Sequence, residues 1–443
     1  MTTDFTQGPV YRQLYRFALP ILLANFLQLL MPLISSLWVG NLLDSAAFGA
    51  VTIGTTVTNV VLAFVIGMNN ATLTIFAQLK GRGEKGQIHA YLSAFIVILL
   101  LLSLLTAALG YIYVAPLLLL LNAPEAILGI AADYLRIVFL GVLFLVGYNF
   151  IGTVLRAFGD SKTQLHFVLV ASGVNAVLTP LLISGLGMGL AGAASATVLA
   201  QAAAFLYSLL WLNRKFGRHS FRLQLPRLSQ ARTILRLGIP SGFQMIVIHA
   251  GITAVLSIVN TFGEDVVAGF GAAQRLDNII LLPGIALGVA VNAMAAQNIG
   301  SQNWRRVAQI TRAGLVYNLG VMLAIAGILF AFAGPLVRLF IQEADSVAFG
   351  ESYLRTIALF YPFIGLNFIL NGVVRGAGAM FQVLVLNIIS LWLLRVPLTY
   401  LATSLFAEAG IALGMGASLL LSALFATAYY CWGGWRERKL FES

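Results

Sequence analysis

Tyr134-Leu135-Arg136 and Arg156-Ala157-Phe158-Gly159 return as Tyr353-Leu354-Arg355 and Arg375-Gly376-Ala377-Gly378, each 219 positions later. Pro116-Leu117 returns at the same offset as Pro335-Leu336, and the connecting segment 81–91 lines up with 300–310. In a chain of 443 residues this offset is close to half the length, so the sequence reads as one unit written twice. Both copies are apolar enough to sit in lipid. A duplicated set of membrane helices is the sequence signature of a secondary transporter whose site lies between its halves.

Composition sets the solvent. Apolar residues make up 60% of the chain and charged residues 9%, against about 25% charged in soluble domains. Roughly a dozen apolar stretches are long enough to cross about 30 Å of hydrocarbon. Backbone amides in lipid must be paired within the segment, and no alternating strand pattern is present, so an all-α polytopic membrane protein is expected. The net charge of +11 does not point to nucleic acid, because the basic residues sit in short loops between spans. The single cysteine, Cys431, excludes an internal disulfide and a cysteine-based metal cluster. The first apolar stretch is too long for a signal peptide and lacks a small-residue cleavage site, so no cleavable signal is expected.

Twelve transmembrane helices are expected at about 16–40, 47–78, 88–113, 129–153, 164–185, 190–213, 237–262, 268–298, 308–333, 353–373, 381–404 and 409–433. Arg12, Arg16, Lys80, Arg82, Lys85, Lys162, Arg214, Arg305, Arg306 and Arg436 all fall on one side of this arrangement, which should be cytoplasmic with both termini. The opposite loops carry Asp44, Glu125, Glu264, Asp265, Glu343, Asp345 and Glu408, with Arg338 the basic exception. Six spans is an even number. The copies 1–213 and 237–443 therefore enter the membrane in the same sense, as two six-helix bundles related by a pseudo-twofold along its normal. The basic segment 214–236 joins them; Phe221, Leu223, Leu225 and Leu228 among arginines suit a strip in the inner interface, and a topology-fixing linker is the simpler reading. Pro32 falls inside helix 1, where its missing N–H and its ring predict a bend. That bend is either a hinge or a tolerated kink, and Pro283 is read the same way.

Leu155-Arg156-Ala157-Phe158-Gly159-Asp160-Ser161-Lys162-Thr163 resembles the "LRGxGDTKT" loop of the multidrug and toxic compound extrusion (MATE) family, bacterial type, and Val374-Arg375-Gly376-Ala377-Gly378 resembles its second copy. Gly271-Ala272-Ala273-Gln274-Arg275-Leu276-Asp277 is similar to "GxxQRID", Gln297-Asn298-Ile299-Gly300 to "GQNxGA", residues 175–180 to "NxxLDP", and Arg395-Val396-Pro397 to "RxP". The order, spacing and duplication of these motifs cover essentially the whole chain. The resemblance implies an efflux transporter. The chain departs from the family where many members carry acids: Ser35 replaces the helix 1 aspartate and Thr179 the "NxxLDP" aspartate. The helix 7 and helix 10 acids of one subfamily fall near Ile248 and Gly365, which are not carboxylates.

An ionisable residue inside the membrane is costly and asks for a reason. Asp277 lies well inside an apolar run. Its carboxylate is expected to bind a proton or sodium or to face a cationic substrate; the structural alternative is an ion pair. Arg275 is two residues away on the same helix and cannot face it, whereas Arg395 on another helix is a candidate partner. His249, at mid-membrane depth, is either a proton carrier or a hydrogen-bonded helix contact, the plainer reading. With no second His or Cys one turn away, no metal site is expected.

Amides and hydroxyls are expected to line the cavity, because a lipid-facing amide wastes its hydrogen bonds. The candidates are Gln28, Ser35, Asn59, Asn149, Asn175, Thr179, Gln244, Gln274, Asn278, Asn367 and Asn371. Aromatics and methionines such as Phe144, Met245 and Tyr361 would give an adaptable surface for bulky organic cations. Arg156, Asp160 and Arg375 occupy equivalent inner loops and read as gating or structural elements, together with Pro32, Arg275 and Arg395.

These readings converge on a secondary multidrug efflux antiporter of the inner membrane. It would export organic, often cationic, drug-like molecules in exchange for protons or sodium, without a cofactor and probing no nucleic acid, as a monomer in the bilayer. A lipid-linked oligosaccharide flippase of the related exporter superfamily is the alternative; it calls for a cavity rich in arginine and lysine, and mid-membrane arginines are few. The chain has no HExxH, no Gly-x-Ser-x-Gly and no Cys/His cluster, so no catalytic residues are expected.

Overall fold

The computed structural model describes residues 3–121, 123–216 and 224–441, and among these all regular structure is helical. The chain divides into two compact units, one of Met1–Thr3 with Leu23–Arg236 and one of Asp4–Leu22 with Leu237–Ser443. The first half of α1 (Val10–Leu42) thus packs with the second unit. Of the linker 214–236, the described part is helical up to Phe216 and again from Leu228. Phe221, Leu223, Arg218 and Arg222 lie outside the described residues.

The first unit continues with α2 (Ser45–Arg82), α3 (Lys85–Leu120), α4 (Glu125–Leu140), α5 (Val142–Ala157), α6 (Ser161–Pro180) and α7 (Gly189–Phe216); a π turn over Leu181–Gly185 ends α6. The second holds α8 (Leu228–Val259), α9 (Glu264–Ile280), α10 (Leu282–Gly300), α11 (Trp304–Arg338), α12 (Ala344–Ala358) and α13 (Tyr361–Gly376). It closes with α14 (Met380–Ile388), a π segment over Ile389–Arg395, α15 (Val396–Phe406) and α16 (Ala409–Trp432).

Among the described residues, ten helical segments are long and apolar enough to cross a membrane, and two further pairs reach that length only when joined across a bend. These pairs are α4 with α5, bent by 42°, and α12 with α13, bent by 51°. The twelve expected spans are therefore present as ten long helices and two broken ones. Most run longer than expected: α1 has 33 residues, about 50 Å at 1.5 Å per residue, which exceeds the hydrocarbon thickness and needs tilt or protrusion. Pro32 lies within α1, which runs as one helical segment from Val10 to Leu42. Helices in membranes tolerate a proline when neighbouring groups satisfy the freed carbonyl. Pro283 sits in the first turn of α10, directly after the break at Leu281, where its missing N–H costs nothing.

The repeat is visible in backbone detail. In the first unit Gly159 N–H donates to Arg156 O at 2.8 Å and Asp160 N–H to Leu155 O at 2.9 Å. In the second, Gly378 N–H donates to Arg375 O at 2.7 Å and Ala379 N–H to Val374 O at 3.2 Å. Both glycines are left-handed, with φ of +80° and +85°, a conformation that penalises any side chain. The copied Arg-x-x-Gly is thus a copied turn between two spans. Asp160 caps the helix that follows: it accepts from Thr163 N–H at 3.1 Å and from the Thr163 hydroxyl at 2.9 Å.

Candidate functional site

Asp277 sits in the last turn of α9, and its own carbonyl accepts the Leu281 N–H at 3.0 Å as that helix ends. Its carboxylate accepts a hydrogen bond from the Tyr361 hydroxyl. Tyr361 is the first residue of α13, immediately past the bend. Tyr353, two turns earlier in α12, is electrostatically coupled to Asp277, and its hydroxyl donates to Met415 Sδ at 3.6 Å. Both tyrosines are 2% exposed, so the phenols reach the carboxylate from a packed wall. The Tyr353 ring meets Phe270 edge-on at 5.2 Å.

Arg395 closes the cluster. It ends the π segment, donates from Nε to Ser418 Oγ at 3.1 Å, and is close enough to Asp277 to attract it. No ion pair within 4.0 Å joins Asp277 to a cation among the described residues. Three irregularities of the second unit therefore converge on one carboxylate: the break at Leu281, the bend between α12 and α13, and the π segment. Helix irregularities of this kind collect at functional sites. An ionised carboxylate only accepts hydrogen bonds, whereas a protonated one gains an O–H donor and keeps acceptor capacity, so either form can hold the Tyr361 bond. A polar cavity of about 460 Å³, lined by Asp265, Asp345, Glu408, Ser352 and Tyr353, opens beside this wall.

The other candidates in the second unit fall around this cluster or away from it. Arg275 is exposed and stands over the Phe340 ring at 5.9 Å, turned from Asp277. Asn278 is exposed, Gln274 is half-buried, and Gln244 is 1% exposed. Asn367 is half-buried and donates to the Phe363 carbonyl at 3.1 Å, while Asn371 is buried. His249 is exposed, and its carbonyl accepts from Thr253 Oγ1. At Gly365 an added side chain would meet the Asn318 amide, which would have to move.

In the first unit the positions that lack the family's acids form a neutral network. Ser35 Oγ donates to Asn175 Oδ1 at 3.0 Å, and Asn175 Nδ2 donates to Thr197 Oγ1 at 3.2 Å. Thr179 is fully buried and donates back to the Asn175 carbonyl at 2.7 Å, so its hydroxyl serves its own helix. Gln28 and Asn149 are half-buried, and Asn59 and Pro32 are exposed. Arg156 is buried and donates to Thr153 Oγ1 at 2.8 Å. Arg375 is half-buried in the equivalent turn.

Comparison with known proteins matches the MatE family model twice, over residues 20–181 and 240–401. The chain belongs to the MatE family. The two matches are displaced by 220 positions and together cover most of the chain, so the family unit is itself the repeat. The chain is 51% identical, over 99% of its length and 98% of the relative's, to the probable multidrug resistance protein YpnP of Bacillus subtilis. It is 25% identical to an FAD transporter of Shewanella oneidensis, over 96% of this chain and 94% of that protein. A solved outward-facing MATE family transporter superposes with a TM-score of 0.90 at 22% identity, covering 98% of each chain. This MatE fold is that of a multi-pass membrane transporter and not of an enzyme.

Two members of the Asp277 cluster, Tyr353 and Tyr361, were not expected as its partners. Tyr361 was read from sequence only as an aromatic cavity residue. The available signal was asymmetry between the copies: at the 219-residue offset Asp277 and Tyr361 correspond to Thr58 and Val142.

Proposed function

We propose that the chain is a secondary antiporter of the cytoplasmic membrane that exports organic, often cationic, compounds in exchange for protons or sodium. The observation that carries this reading is the Asp277 carboxylate, half-buried among apolar helices and supplied with a phenol donor from Tyr361 and a nearby guanidinium from Arg395. A carboxylate so placed needs a function that outweighs its desolvation. The name of the 51% identical relative, a probable multidrug resistance protein, supports the same substrate class.

In this reading Asp277 holds the coupling ion. Cation and cationic drug raise each other's free energy of binding, and that reciprocity makes exchange obligatory. The cavity lined by Asp265, Asp345 and Glu408 supplies the external route, its acids concentrating cations. The copies 1–213 and 237–443, joined by 214–236, supply the two bodies of an alternating-access cycle, with Asp4–Leu22 carried by the second body, both termini cytoplasmic and the protein working as a monomer. Arg156 and Arg375 hold the paired inner turns, and the amides Gln28, Asn149 and Asn367 contribute to the substrate cavity.

The test is uptake of a cationic dye into inverted vesicles carrying the chain, the direction in which an exporter moves its cargo there; this uptake is the efflux measured. Asp277→Asn should abolish efflux at unchanged protein level, and parental efflux by that variant would remove the assignment.

A further inference from the structure

The first unit contains a second cavity, unrelated to Asp277. Helices α3 and α7 both pack on α5, and together with the end of α2 they enclose a trough of about 580 Å³. This lies within the range of about 300–1,000 Å³ typical of ligand pockets. Its α3 wall is one stripe, Ile88, Leu92, Ile96, Leu99 and Ser103, at the three- and four-residue spacing of a single helix face. Phe76, Phe150, Phe158 and Phe205 line it with aromatic rings from three other helices and the turn after α5.

The trough is built for a neutral occupant. Lys80, Lys85 and His89 are the only basic groups of the lining, no carboxylate borders it, and Ser103 is its one remaining polar side chain. Lys80 Nζ is already engaged, donating to Thr3 O and Phe158 O, both at 2.8 Å.

Ser103 is the exception in this apolar wall. It stands midway along α3, roughly 27 Å from Lys85 at 1.5 Å per residue. It is 2% exposed, and its hydroxyl has no hydrogen-bond partner among the described residues. Other helical hydroxyls of the same unit bond back to the carbonyl one turn before, as Thr55 does to Val51 O at 2.8 Å and Thr197 to Ala193 O at 3.1 Å. A buried hydroxyl left without a partner is costly and uncommon. An acyl chain of the surrounding lipid fills apolar walls but offers a hydroxyl no lone pair, and lipid carbonyls lie at the edge of the hydrocarbon, not at its middle.

We propose that the trough is a binding site for a neutral, ring-bearing apolar molecule with a carbonyl acceptor, taken up from the bilayer. The carbonyl accepts from Ser103 Oγ, which a rotation about χ1 turns into the trough. The rings of the ligand lie against Phe150 and Phe205. The site lies within the first unit and depends neither on Asp277 nor on which ion drives transport.

The probe is progesterone, a neutral steroid whose conjugated ketone accepts a hydrogen bond and attaches to nearby protein under near-ultraviolet light. The full chain in lipid nanodiscs is irradiated at increasing progesterone concentration, and the adducts are mapped by mass spectrometry. Labelling should saturate, with the adducts in 88–103, 143–158 and 205–212. Ser103→Ala should raise the half-saturating concentration about three- to tenfold, the share of one neutral hydrogen bond. Its melting temperature should not fall, because the group removed had no partner in the folded chain. Ile96→Trp, which fills the trough, should abolish the saturable labelling, whereas Asp277→Asn should leave it unchanged. Labelling that rises without saturation is partition into bulk lipid and overturns the proposal. So does an unchanged half-saturation in Ser103→Ala, the behaviour of an occupant held by apolar area alone, and so do saturable adducts confined to segments outside the trough.

Discussion

The Tyr361 hydroxyl donates to the Asp277 carboxylate from the first turn of α13 to the last turn of α9, across 84 positions of sequence. Each group sits at a helix discontinuity, so the bond ties two breaks of the second unit together. A hydrogen bond to a charged group contributes about 1.5–3 kcal/mol. Tyr361→Phe should therefore weaken thermal stability by an amount of that order and slow efflux. Tyr353→Phe should do the same less severely, and the double variant should be non-additive. Thermal unfolding of the purified protein with parallel vesicle efflux checks both effects; additive losses would mean that the two phenols do not share the carboxylate.

Arg395 donates to Ser418 and attracts Asp277. Removing the cation by Arg395→Gln should leave the carboxylate undercompensated and destabilise the protein by roughly 1–3 kcal/mol, the cost of an unsatisfied buried group. Adding Asp277→Asn to that variant should recover part of the loss, because the uncompensated charge is then gone. The readout is a double-mutant cycle on melting temperature. A double variant no more stable than the sum of the singles would place Arg395 outside the cluster.

Ser35, Asn175 and Thr197 make a neutral network where many relatives carry acids. Ser35→Ala should cost only about 0.5–1.5 kcal/mol, the net worth of one neutral hydrogen bond. It should leave the ion dependence of efflux unchanged. A shift in proton or sodium dependence in this variant would show that the first unit also takes part in coupling.

The spans were legible because apolar length alone decides whether a helix can cross lipid. The repeat was legible because Arg156 and Gly159 return as Arg375 and Gly378 in the same left-handed turn. Asp277 stood out as an acid within an apolar run. What remained hidden depended on tertiary packing. Tyr361 lies just past a bend whose one sequence mark is Pro362 in the first turn of α13, and that mark does not say which residue the tyrosine meets; the π segment over Ile389–Arg395 has no composition of its own. The neutral role of Thr179 follows from a local bond to the Asn175 carbonyl, which its position in the motif does not reveal.

The N-terminal residues belong with the second unit through one arginine. Arg306 Nε donates to Phe5 O at 2.7 Å, and its Nη2 donates to Gln7 O at 2.7 Å and Gly8 O at 2.9 Å. Asn298 Nδ2 adds a bond to Phe5 O at 3.0 Å, and the Phe5 ring is fully buried against Phe17. Arg306→Ala should release this segment and speed tryptic cleavage after Arg12, while the rest of the chain keeps its protection. Limited proteolysis followed by mass spectrometry checks this, and parental cleavage kinetics would show that Phe5 burial alone holds the segment.

The most direct measurement is dye transport in proteoliposomes under separately imposed proton and sodium gradients, with Asp277→Asn reconstituted beside the parent. The parent should transport under one of the two gradients. The variant, equally well incorporated and folded, should transport under neither. Gradient-driven transport by Asp277→Asn at the parental rate would contradict the assignment of Asp277 as the coupling residue.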